Sequence, residues 1–155
     1  MVNQFVESWR INNRVNLMLL DGIPEEALNA TLSKRGGGTP VKQFAHIQNV
    51  RFWKMEGIDR KLITGQTKFS LKEPLSREEI RYKLIESADA ICKILEEGYK
   101  KDGAVKGFRR GVFVLHSYLI AHEAHHRGNI VLTLKQCGYK LPKSLTYGIW
   151  DWNKI

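Results

Sequence analysis

Hydrophobic positions recur at helical spacing in four long segments, and nowhere do they alternate long enough to predict a strand. The first segment runs from about Asn3 to Asp21. Phe5, Trp9, Leu17 and Leu20 return near helical spacing there, and Gly22-Ile23-Pro24 ends the pattern. The second opens at Thr39-Pro40, an N-cap followed by proline at the first helical position, and ends near Gly57. One stripe of it carries Gln43, His46, Val50 and Trp53, so His46 shares a face with Trp53. The third opens at Leu75-Ser76, with Ser76 and Glu79 spaced as a capping box. Ile80, Leu84, Ala88, Ile91 and Leu95 then form its apolar stripe, which ends near Gly98. The fourth runs from about Gly111 to Cys137 and is closed by Gly138 as a C-cap. Its stretch from Val112 to Ala121 is largely apolar, which predicts the most buried of the four helices.

These segments predict an all-α four-helix bundle with unequal connections, at about 22–38, 58–74 and 99–110. Two of them are long enough to cross over the helices or to hold short helical turns. A chain of 155 residues suits one domain, read as 1–155, with a substantial hydrophobic core. Hydrophobic content of 43% with 26% charged residues is that of a globular protein rather than a disordered one. No apolar run approaches the ~20 residues of a membrane helix. The first residues lack the charged-then-apolar order of a signal peptide. The two cysteines, Cys92 and Cys137, fall within predicted helices without C-x-x-C or framework spacing, and read as reduced thiols. A cytoplasmic location with no membrane partner is therefore expected.

The net charge of +9 fits a nucleic acid, an acidic surface or an anionic small molecule. The basic connection through Lys100-Lys101, Lys106 and Arg109-Arg110 reads as a solvated loop. It lacks interleaved aromatics, and no helix-turn-helix pattern accompanies it, so no nucleic acid partner is expected. Gly36-Gly37-Gly38 is not a phosphate loop, because no strand precedes it and no Lys-Ser/Thr follows. It is a flexible lead-in to the second helix.

The chemistry concentrates in His122-Glu123-Ala124-His125-His126-Arg127-Gly128-Asn129, which holds three of the five histidines. His122 and His126 are four residues apart, and four residues of α-helix turn through roughly 400°, so both imidazoles lie on one face. That spacing offers two nitrogens to one metal ion. The run also reads as H-E-x-x-H, the zinc protease signature. That reading needs a third ligand downstream, where the chain has no His or Glu and only Asp151 among its acids. The histidine well separated from the cluster is His46. A site of His46, His122 and His126 requires the second and fourth helices to be neighbours. Three neutral imidazoles with one open position make a catalytic zinc or nickel site rather than a closed structural one. His125 projects about 100° away from His126 and reads as a supporting or interface residue. His116 reads as a packing histidine. Glu123 would be the general base of a zinc protease; turned about 100° from His122, it reads instead as a salt-bridging residue, with Arg127 at i+4 as the partner. Gln43, Asn49 and Trp53, on or near the His46 face, are candidates to line the pocket.

The chain resembles the DinB family, the DinB/YfiT-like metal-binding bundles. The resemblance is carried by Trp9 with Asn13-Arg14, by His46 with Trp53, and by His122 to Asn129, and it extends over nearly the whole chain. The family pattern in the last helix is His-x-x-His-His-Arg-Gly-Gln, and Asn129 stands here where Gln is usual. The resemblance implies that His46, His122 and His126 bind a divalent metal, zinc or nickel, in a bundle with a long second connection, commonly a homodimer. It also implies a small-molecule substrate, since the family includes transferases and isomerases that use bacillithiol, mycothiol or glutathione. The expected function is a metal-dependent enzyme, a low-molecular-weight thiol S-transferase of the bacillithiol type. The alternatives are a metal-dependent hydrolase and a non-catalytic, metal-stabilised binding protein.

Overall fold

The computed structural model describes residues 2–155, and its regular elements are all helices, with no strand among them. Four long helices are α1 (Val2–Gly22), α2 (Pro40–Ile58), α3 (Arg77–Lys100) and α4 (Gly111–Gln136), and a short α5 (Lys143–Gly148) follows. Single 3-10 turns, Glu25–Ala27 and Arg60–Ile63, interrupt the first two connections. α1 and α2 each pack against both α3 and α4.

The local signals behave as their chemistry requires. Thr39 caps α2 by accepting from the Lys42 amide, with Pro40 behind it. Ser76 caps α3 by accepting from the Glu79 amide, but the acid that answers it is Glu78, whose carboxylate accepts the Ser76 hydroxyl. Glu79 turns to Lys83 instead. Gly138 has φ +88, and the amides of Gly138 and Tyr139 return to the carbonyls of Lys135 and Leu134. That pair of bonds is a Schellman stop, in which a left-handed residue satisfies the last carbonyls.

α5 was not predicted from the pattern, because six residues are too few to show a period. It is tied down by Leu145, which packs where a side chain on Gly22 would otherwise stand. Of the two tryptophans beyond α4, Trp152 packs on the chain's own core, whereas Trp150 is 77% exposed.

The interior is built in two apolar halves. One gathers Leu19 and Leu20, Phe44 and Ile47, Leu84 and Ile130. The other gathers Trp9, Met55, Ile91, Leu95, Leu115 and Leu119. Between them every long helix contributes buried polar side chains: Asn12, Asn13 and Asn16 from α1, Gln48 and Arg51 from α2, Ser87 from α3, Glu123 and Arg127 from α4. Buried polar groups are stable when they hydrogen-bond one another, as these do, with Asn12 Oδ1 left without a partner. This belt therefore fixes the level of the helices, and the histidines of α2 and α4 lie beside it.

Among the described residues no helix is long and apolar enough to cross a membrane.

Candidate metal centre

α2 and α4 bring His46, His122 and His126 together, each half-buried, with one ring nitrogen apiece within 4.8 Å of the others. Ring centroids are 5.4 Å apart for His46 and His122, 4.8 Å for His46 and His126, and 4.6 Å for the helical pair. The Nε2 atoms of His122 and His126 are 3.2 Å apart. Two imidazole nitrogens sharing a tetrahedral zinc at ~2.0–2.1 Å stand about 3.3 Å apart, so this pair already has the separation a shared ion needs.

The tautomer of His126 is prepared. Its Nδ1 lies 3.2 Å from Gln43 Oε1, and Gln43 Nε2 donates to the Gly38 carbonyl, which fixes the amide so that its oxygen faces the ring. Nδ1 then carries the proton and Nε2 presents its lone pair to the triad, the usual arrangement behind a metal-binding histidine. The Nδ1 of His122 is buried and has no hydrogen-bond partner among the described residues, so no group behind the ring holds it as Gln43 holds His126, and its Nε2 meets only His126 Nε2. Burial and the neighbouring His122 and His46 push His126 down to about 4. Burial and His46 also lower His122. Both rings are thus neutral near pH 7, the form that ligates.

The remaining expected residues divide. Trp53 stands beside His46, ring to ring at 6.4 Å. His125 is exposed and bonds to Asn129 rather than joining the three nitrogens. His116 meets Ser8 and Phe5, away from the triad. Asn49 does not open onto the site. It is buried, and its amide both donates to the Phe69 carbonyl and accepts from the Phe69 amide, pinning the α2–α3 connection to α2.

Glu123 forms an ion pair, but with Arg51 of α2 rather than with Arg127. Arg51 donates to Glu123 Oε1 at 2.7 Å and Oε2 at 2.9 Å, and Asn12 and Asn16 complete the carboxylate's shell. Arg127 donates to Asn16 instead. Glu123 points inward because a rotation of about 100° from the triad face leads into the core of the protein. Burial would raise its pKa, yet the Arg51 charge and the hydrogen bonds of Arg51 and Asn16 outweigh burial and hold it below the ordinary value. A carboxylate bound on both oxygens and sealed from solvent is no general base, so the protease-like reading of H-E-x-x-H fails.

The sequence reading does not include Tyr118 or Arg51. Tyr118 stacks on His122 at 6.0 Å and 15°, one helical turn before it. Arg51 was detectable as a charge set into the apolar stripe of Phe44, Ile47 and Met55.

No curated protein and no solved structure matches the chain. The family model described as DinB family matches residues 1–151, nearly the full length and all three histidines. The chain therefore belongs to the DinB family.

Proposed function

We propose that His46, His122 and His126 hold one divalent metal, zinc or nickel, and that the protein transfers a low-molecular-weight thiol of the bacillithiol type to an electrophile. The observation that carries this reading is the convergence of three imidazoles on one point, all of them partly open to solvent. Three nitrogen ligands suit a borderline ion and leave a position free. Such an ion, when bound, supplies Lewis acidity that favours thiolate over thiol. The chain's own part is to hold the rings: Gln43 fixes His126, and the Arg51–Glu123 pair ties α2 to α4. Trp53 and Tyr118 flank the open side.

The test uses metal-loaded protein, a chlorodinitrobenzene, and bacillithiol, glutathione and other thiols in turn. A C–S bond forms, chloride leaves and the thiol proton passes to solvent. Turnover is expected to need metal and to vanish in His122→Ala. Turnover on esters or amides instead, with none from any thiol, would replace this reading by the hydrolase alternative. Failure of both would leave a metal-stabilised binding protein.

The wider setting follows the same reading. We take residues 1–155 as one cytoplasmic domain whose long helices form a four-helix bundle with crossover connections, since α1 and α2 both pack across α3 and α4. A homodimer is the expected assembly. Between Gly111 and Leu134 the charged residues of α4 are Glu123 and Arg127, both buried, while Val114, Ala121, Ala124, Gly128 and Leu132 are exposed. A helix face that large and uncharged fits burial against a partner. The 390 Å³ cleft beside it, under Trp150, extends the same apolar surface. Light scattering should give about twice the 17.9 kDa of one chain, and a monomer at micromolar concentration would refute the dimer.

A further inference from the structure

Two exposed aromatic rings flank the triad, each with a lysine ammonium over its face. On the α4 side Tyr118 stacks on His122, and Lys54 Nζ lies 4.5 Å from the Tyr118 ring. The same Nζ is 5.5 Å from Phe108, so Lys54 is held between two rings. On the α2 side Trp53 stands against His46, and Lys68 Nζ lies 5.6 Å from its ring. Lys68 is not placed by chance, because its neighbour Phe69 is pinned through both backbone groups to Asn49.

Two features set these lysines apart. Among the described residues, the lysines that form ion pairs are Lys83, Lys101 and Lys154, so neither Lys54 nor Lys68 is neutralised by one. The rings beneath them are open, Trp53 being 45% and Tyr118 40% exposed. Large aromatics left that exposed beside a reactive centre have surface to offer a ligand. Cation–π contact steadies an ammonium without spending its hydrogen-bond donors, so each lysine can still bind an oxyanion.

We infer that this aromatic flank receives a small molecule bearing a carboxylate, gripped by Lys54 and Lys68, whose flat or apolar part lies against Tyr118 and Trp53 while its reactive end reaches the triad. The inference deepens the proposed function by naming the charge of its substrate, and it rests on that reading only for the reactive end. Lys54 is the stronger anchor, since two rings seat it beside His122, and Lys68 is the outer one. Lysine at both places, rather than the overall charge of +9, is what selects the anion.

The test titrates zinc-loaded, full-length protein with benzoate and with neutral benzamide, following the indole N–H signal of Trp53, assigned with Trp53→Phe. Benzoate is expected to bind at least roughly tenfold more tightly than benzamide, as a desolvated charge-assisted contact warrants. Lys54→Gln should remove roughly that factor, Lys54→Arg should restore it, and Lys68→Gln should cost less, all with bound zinc unchanged. Equal binding of the two ligands, or benzoate affinity untouched in Lys54→Gln, would overturn the inference. The thiol-transfer reading fails separately: if no thiol supports turnover but benzoate still binds in a Lys54-dependent way, the anion site stands without it.

Discussion

Arg51→Met is expected to destabilise the protein by about 3–5 kcal/mol, the cost of breaking a buried ion pair from one side. Arg51 is 0% exposed and serves four acceptor residues at once. It binds both oxygens of Glu123, the Asn13 carbonyl oxygen at 2.9 Å, the Leu84 main-chain carbonyl at 2.9 Å and the Ser87 hydroxyl at 3.2 Å. Methionine fills much of the space but leaves a carboxylate sealed in the core with only Asn12 and Asn16 to meet it. Combining Arg51→Met with Glu123→Leu should recover part of the loss, because the orphaned charge goes with its partner. Urea unfolding of the metal-free protein at pH 7 measures both. A loss below about 1 kcal/mol for Arg51→Met would mean that the belt does not hold the helices together. The depressed pKa of Glu123 gives the pH dependence its sign. The pair's contribution is fully present above the ordinary carboxyl value of 4.5 and is lost as pH falls through the lower folded value.

Metal should stabilise the wild-type protein and do nothing comparable for the triad variants. An ion that binds only the folded state, present at a hundred times its dissociation constant, adds about 2.7 kcal/mol. For a domain of this size that raises the melting temperature by roughly 5–11 °C. His46→Ala, His122→Ala and His126→Ala should each forfeit most of that rise. His125→Ala should keep it, because His125 is exposed and bonded to Asn129. Acid should erode the rise as protons compete for the imidazoles. His126, with its pKa pushed down to about 4, yields its lone pair only well into the acid range. A metal-induced rise that survives His126→Ala but not His125→Ala would reverse the assignment of ligands.

What the sequence made legible was local. His122 and His126 could be placed on one face because helical geometry alone decides it, and the caps at Thr39, Ser76 and Gly138 are likewise read within a few residues. His46 could be named for want of any downstream ligand, but its meeting with the pair depends on α2 and α4 being neighbours, which no local pattern states. The polar belt does leave a trace in the sequence. Asn13 and Asn16 fall on the apolar stripe of α1 between Trp9 and Leu20, Arg51 on that of α2, and Glu123 on that of α4 between Leu119 and Ile130. Polar residues set into the buried stripes of three helices at one level predict a buried network. The i+4 rule that pairs Glu123 with Arg127 holds on exposed helix surfaces, and burial breaks it by offering partners on other helices. The bonding of Asn49 to Phe69 follows a related logic. Sharing a face with His46 says nothing about the loop that folds over it.

The most direct measurement is the metal-to-protein ratio, by elemental analysis, after chelation and reloading of the wild type and of His46→Ala. About one ion per chain in the wild type and almost none in His46→Ala is the predicted result, since His46 is the one of the three histidines that only the fold brings to the site. An unchanged ratio in His46→Ala would contradict a centre shared between α2 and α4.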